Sequence, residues 1–147
     1  MKKELFDHCQ NYCKERLERI RGEIKKISDS LSSETKSTAG DKHETGRAML
    51  QLEREKLGKQ LLQVEKMQSV LDRIPLDKST GHIALGSLVS TNKANYYISI
   101  SAGKFKIGSI DVFCISSVSP IGQLLLGKGI GDEIAFNGQR FDIINVE

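Results

Sequence analysis

Two narrow apolar stripes, each repeating close to every 3.5 residues, constrain this chain more than any other feature of it. The first runs Cys13, Leu17, Ile20, Ile24, Ile27 and Leu31, at intervals of 4, 3, 4, 3 and 4, and Leu5, Phe6 and Cys9 extend it toward the N-terminus. The second runs Leu50, Leu57, Leu61, Val64, Gln68 and Leu71, with Met67 and Ile74 in support. Glu53 and Arg54 interrupt it near its start, and Pro75 stops it. A stripe this narrow is a coiled-coil seam rather than the broad face of a core helix. Neither seam can stay in water, and neither is wide enough to found a globular core. Packing one on the other satisfies both, and the connection is short enough for an antiparallel return. Residues 1–75 are therefore predicted to form a helical hairpin, with arms of about 40 Å at 1.5 Å per residue.

The distribution of charge agrees with that reading. Residues 1–75 hold 16 Lys and Arg against 13 Asp and Glu, whereas residues 76–147 hold 6 against 6. Both signs interleave along the first half, as on a solvated helical surface. The net charge of +3 is too small to argue for nucleic-acid binding by itself. Cys9, Cys13 and Cys114 follow no disulfide-like pattern. The N-terminus opens Met-Lys-Lys-Glu without the apolar run of a signal peptide or a membrane span, so a reduced cytoplasmic setting without membrane association is the expectation.

Past Pro75 the pattern changes. Residues 76–81 read as a linker and residues 82–147 as a small β-rich domain, which makes the whole chain α+β. Strands are predicted over Ile83–Val89, Tyr96–Ser101, Val112–Ile115, Glu133–Phe136 and Gln139–Val146. Asn137-Gly138 between the last two is a strong hairpin signal. Ser119-Pro120 supplies an N-cap and a first-turn proline for a helix over Ile121–Leu126, which Gly127 ends. Five strands with one short helix packed on them are expected.

The connection between the arms, residues 32–46, has almost nothing to bury and reads as a polar loop. Within it, Asp41 and Glu44 are the informative pair. Three residues apart at a helix start, they share a side near the positive end of the dipole. Two such carboxylates suit a hard divalent ion that keeps most of its waters. They equally suit a capping box, with Asp41 as cap and Glu44 reaching back, and residue pattern alone favours the cap.

A resemblance adds to this. Gly40-Asp41-Lys42-His43-Glu44 between two heptad arms resembles the acidic tip of bacterial Gre transcript-cleavage factors. The stretch from Ile115 through Ser119-Pro120-Ile121 to Gly127-Lys128, followed by Gly131-Asp132-Glu133-Ile134, resembles the Gre C-terminal signature more specifically. The likeness runs in order along nearly the whole chain, strongly after residue 80 and more loosely before it. It implies a coiled-coil finger inserted in the secondary channel of RNA polymerase, with an FKBP-like C-terminal domain docked outside. It also implies an accessory factor with no cofactor of its own and no small-molecule substrate. Asp41 and Glu44 would be lent to the polymerase active site to help hold a second Mg²⁺ and activate water against the backtracked RNA 3′ end, in the two-metal manner. Ser119, Pro120 and Ile121 mark the expected polymerase-docking surface, with burial of Ile121 in the domain's own core as the competing account.

The chain departs from the Gre tip after Glu44. Thr45-Gly46-Arg47-Ala48 stands where the family has Asn-Ala-Glu-Tyr, and Lys42 and His43 add positive charge. A less negative tip holds a cation less well, so a regulator that occupies the channel without stimulating cleavage stays open beside the cleavage factor. From other classes, a coiled-coil interaction module unrelated to transcription remains an alternative. An FKBP-like prolyl isomerase would need an aromatic-lined pocket, and five Phe, three Tyr and no Trp supply one poorly. His8, Cys9 and Cys13 lie within two helical turns, but the two cysteines sit on the apolar stripe and the spacing is not that of a zinc site. Arg16, Arg19, Arg21, Lys25 and Lys26 form a basic stretch that a heptad surface needs in any case.

Overall fold

The computed structural model describes residues 1–36, 41–76 and 80–147, and the side chains of all of these except residues 34–36 and 41–43. Two long helices come first, α1 (Lys2–Lys36) and α2 (Asp41–Asp72), followed by strands and one short helix. The chain divides into two compact units. One is Cys13–Gln68, and the other joins Met1–Tyr12 to Ser69–Glu147.

The first unit is the hairpin that the two seams predict. Cys13, Ile20 and Ile27 on α1 are buried, as are Leu57 and Val64 on α2. Buried positions thus recur every seven residues on each helix, while the intervening Leu17, Ile24 and Leu61 are half-buried. That is the burial pattern of a two-helix seam, which covers one heptad position fully and leaves the other at its margin. The helices run further than the sequence suggested. Residues 32–36 continue α1 and residues 41–46 open α2, where a polar loop was expected. The reason is that the stretch contains no proline, and Ser, Glu, Lys and Thr are polar without being helix breakers. Extending a formed helix by one residue adds a hydrogen bond at little cost.

In the second unit six strands form one sheet in the order β3-β4-β2-β1-β6-β5. They are β1 (Leu88–Thr91), β2 (Asn95–Ser99), β3 (Gly103–Ile107), β4 (Ile110–Ser116), β5 (Glu133–Phe136) and β6 (Gln139–Val146), with α3 (Pro120–Leu125) between β4 and β5. One strand more is present than expected. β3 has an exposed, lysine-bearing pattern, Gly-Lys-Phe-Lys-Ile, which carries little apolar signal because it lies at the sheet edge. The first strand also begins later than expected. Ile83 is buried, but its backbone is engaged by the segment after α3: its N–H donates to the Lys128 carbonyl at 2.7 Å, and its carbonyl accepts from Gly127 N–H at 2.8 Å.

β2 and β4 pair in parallel, whereas the other pairings are antiparallel. Tyr96 to Ser99 on β2 are all buried, as befits a central strand covered on both faces. One face holds Ile83, Val89, Tyr96, Ile98, Leu125, Ile134, Phe141, Ile143 and Val146, with Ile121 packed against them. The other face, with Tyr97, Ser99 and Cys114, receives the first turns of α1. There Leu5 and Cys9 are wholly buried and the His8 ring stacks on Phe105 with centroids 4.3 Å apart. Asn137 and Gly138, with φ of 51° and 75°, make the two-residue turn joining β5 to β6.

Candidate functional site

Asp41 is the first residue of α2, and Glu44 lies one turn into it. That spacing puts positions 41 and 44 on neighbouring sites of one helix face at the end where the dipole is positive. The Glu44 side chain is exposed. The side chain of Asp41, with those of Lys42 and His43, lies outside the described residues. So does Gly40, which the expected tip motif includes. Of the residues that follow, Gly46 and Arg47 are half-buried and Ala48 is exposed. Among the described residues no three His, Cys, Asp or Glu side chains gather as metal ligands do. Acidic residues at positions 41 and 44 suit a capping box or a donor of oxygen ligands to a metal that something else also holds.

The second candidate surface is at the start of α3. Ser119 is the N-cap: its Oγ accepts from Gly122 N–H at 3.2 Å and donates to the Ser116 carbonyl at 2.6 Å. Pro120 is exposed, and Ile121 is half-buried against the core cluster. Gly122 is required by close approach rather than by its φ. A Cβ built there would lie 2.2 Å from the Ser116 carbonyl oxygen and 2.9 Å from Ser119 Oγ. The Ser-Pro-Ile-Gly sequence therefore works as one turn. The serine bonds across it, the proline fixes the first helical φ, and the glycine leaves room for the carbonyl beneath. Val118, two residues before Pro120, is 74% exposed, so apolar surface adjoins the helix start. The structure separates the roles of the three residues: Ser119 is held in the cap, Pro120 faces outward, and Ile121 is partly spent on the core.

A third constellation joins residues some ninety positions apart. Cys9 Sγ lies 3.3 Å from Ser99 Oγ. Hydrogen bonding from Cys114, helped by Ser99 and the Ile100 backbone, holds the Cys9 thiol below its ordinary value against the effect of burial. The bond to Cys9, with burial, pushes Cys114 far up. Burial foremost raises Tyr97 as well, with Cys9 and Cys114 adding to it. His8, the other residue weighed as a ligand, has Nε2 3.2 Å from the Ala102 carbonyl. The sequence offered no sign of this cluster, since each cysteine reads there only as a small apolar residue on its own element.

Fold and site together define the class: a two-helix coiled-coil unit with acidic positions 41 and 44 in the first turn of its second helix, and a small α+β unit built, among the described residues, on one six-stranded sheet. Two similar solved structures are the GreA factor homolog 1 (Gfh1) protein of Thermus thermophilus and a second structure of the transcription factor Gfh1. The first is 21% identical, covers 92% of this chain and 92% of its own, and superposes with a TM-score of 0.37. The second is 21% identical over 91% of this chain and 90% of its own, with a TM-score of 0.35. At that TM-score the likeness carries no functional argument. No protein-family model matches the chain, and no curated protein matches it. No helix among the described residues is long and apolar enough to cross a membrane.

Proposed function

We propose that this chain is a Gre-type accessory factor of RNA polymerase, presenting the turn of its helical hairpin to the polymerase active centre through the secondary channel. The observation that carries the reading is the pairing of two sequence signatures in one chain, each on a distinct structural feature. Gly40-Asp41-Lys42-His43-Glu44 stands where α2 begins, between two heptad-patterned helices. Ser119-Pro120-Ile121 to Gly131-Asp132-Glu133-Ile134 spans the capped start of α3 and the entry to β5. On this reading the sheet unit is the FKBP-like docking domain, and the Pro120 surface faces the polymerase. Asp41 and Glu44 lend oxygen ligands to a Mg²⁺ that the polymerase also holds, and that metal activates the water that cuts backtracked RNA. The factor itself is not the enzyme.

One observation favours a second version of the same role. Lys42, His43 and Arg47 adjoin the pair in sequence, and added positive charge there disfavours a divalent cation. On that version the hairpin occupies the channel without stimulating cleavage. A stalled, backtracked polymerase complex given this protein and Mg²⁺ decides the matter. Short 3′ RNA fragments, abolished by Asp41→Asn or Glu44→Gln while binding persists, support the cleavage factor. Competition for the channel without fragments selects the occupying regulator. Absence of any binding to polymerase overturns both.

A further inference from the structure

Neither candidate surface uses the start of α1, where the sheet unit holds a cavity of about 540 Å³. That volume falls within the roughly 300–1,000 Å³ of small-molecule sites. Its described lining residues all belong to the compact unit that joins Met1–Tyr12 to Ser69–Glu147. One wall is the first two turns of α1, which contribute Lys2, Lys3, Phe6 and Asp7. Two neighbouring positions and the two that follow them by four lie on one side of a helix. The segment after α2, Ile74-Pro75-Leu76, forms a second wall, and Tyr97 of β2 completes the lining. These walls are held in place. Ile74 and Tyr97 are buried, and the chain at Ile74-Pro75 lies against Gly86. A Cβ at Gly86 would stand 2.9 Å from Ile74 Cγ2 and 3.6 Å from the Pro75 carbonyl oxygen, so nothing larger than glycine fits beneath that wall. Pro75 further fixes its own φ.

The lining also says what it can take. Phe6, Ile74, Pro75 and Leu76 offer only hydrocarbon, and among the described lining residues Tyr97 brings the one hydroxyl and none brings an amide. A base or sugar, which needs matched donors and acceptors around it, finds few here, whereas an acyl or aryl body needs none. Two lysines against one aspartate leave positive charge in excess, so the complementary ligand carries negative charge. Lysine serves both needs at once, since its stem covers apolar surface while its ammonium stays in water. We propose that this cavity binds a small free monoacid with an apolar body, of the acyl or aryl carboxylate class. Its body lies against Phe6, Ile74 and Tyr97, and its carboxylate meets Lys2 and Lys3. A ligand seated there touches both the first turns of α1 and the segment after α2, and binding only the folded unit it stabilises that unit by mass action. The inference needs the sheet unit alone and stands whether or not the chain binds polymerase.

Decanoate, kept below its micelle concentration and titrated into the isotope-labelled full chain at low salt, tests it by nuclear magnetic resonance. The expected result is saturable shifts of the Ile74 and Leu76 methyl signals and the Phe6 and Tyr97 amides, weakening as salt rises. Lys2→Gln with Lys3→Gln should raise the Kd about fivefold or more, whereas Lys104→Gln with Lys106→Gln on β3 should leave it unchanged. Leu76→Asp, at a position 85% exposed where folding is not at stake, should weaken binding as well. Decylamine, with the same chain length and the opposite charge, should bind about tenfold more weakly or worse. Shifts that fail to saturate or fall elsewhere, decylamine binding as well as decanoate, or an undiminished Kd in the paired Lys2 and Lys3 variant would each overturn the proposal. So would binding to phosphatidylglycerol vesicles without binding to free decanoate.

Discussion

At the scale of single residues the chain makes its sharpest commitments where backbone approaches backbone. Gly122 faces the Ser116 carbonyl with no space for a methyl group, so Gly122→Ala must displace the turn before α3. The expected cost is about 2–4 kcal/mol, in the range of overpacking and strained-turn substitutions. It should appear in urea titrations as earlier loss of the native methyl resonance of Leu125. Tyr97 behaves differently. Its ring is buried on the face that receives α1. Burial raises Tyr97 and Tyr96 above their ordinary values, and hydrogen bonding to Cys9, with burial second, raises Cys114. The folded chain thus holds these protons where the unfolded chain releases them. Their stabilisation is complete below the ordinary values and is lost from about pH 9 upward, with Cys9, shifted the other way, offsetting part. Tyr97→Phe should leave stability near neutrality within about 0.5 kcal/mol of the parent and reduce the alkaline loss. Urea midpoints read from the Ile98 and Val112 methyl signals at about pH 7.5 and about pH 10.5 measure both effects. Turn chemistry at this scale was legible in the sequence: Ser119-Pro120 caps a helix and Asn137-Gly138 turns a hairpin. The Cys9–Ser99 contact was not, because nothing local in either residue records a neighbour ninety positions away.

At the scale of elements the two long helices are held by their seam, not by uniform propensity. Gly22 on α1 and Gly58 on α2 sit in helix interiors, and a Cβ at either meets no atom within 4 Å. Each therefore costs helix stability without a packing reason. Gly22→Ala and Gly58→Ala should each stabilise the hairpin by about 0.5–1 kcal/mol, seen as a higher melting midpoint by far-ultraviolet circular dichroism. A fall in midpoint at either position would mean that the glycine serves an approach absent from the free chain. The heptads made both helices legible, but not their ends. Polarity was read as loop across residues 32–46, while the described parts of that stretch are helical, because polar residues without a breaker do not stop a helix. The sheet shows the converse. β3 escaped notice because its alternation is short: Phe105 and Ile107 are its two apolar positions, between lysines, at the sheet edge. The apolar run at Ile83–Leu85 was taken for strand because burial, not pairing, is what an apolar run reports. The parallel pairing of β2 with β4 lies beyond any local pattern, since β3 intervenes between them in sequence.

At the scale of the whole molecule, charge and architecture divide at different places, the charge near Pro75 and the compact units after Tyr12 and after Gln68. Most of the charge lies in residues 1–75, and the Gre-like C-terminal signature lies in the sheet unit. The functional reading needs both halves, a slender element to reach and a folded domain to dock. The tip is where it is least determined by pattern: a carboxylate pair at a helix start is either a cap or a ligand set, and the flanking Lys42, His43 and Arg47 weigh against the metal without removing it. Whether the hairpin turn reaches the polymerase active centre is a separate question from whether RNA is cut, and it can be asked by itself. Exchanging the active-site Mg²⁺ of the cognate polymerase for Fe²⁺ generates hydroxyl radicals at that point alone, and end-labelled factor bound to it records which residues lie nearby. The account predicts that the chain is cut around Asp41 and Glu44 and is spared in the sheet unit. A bound factor left uncut there, or cut instead around Pro120, would contradict it.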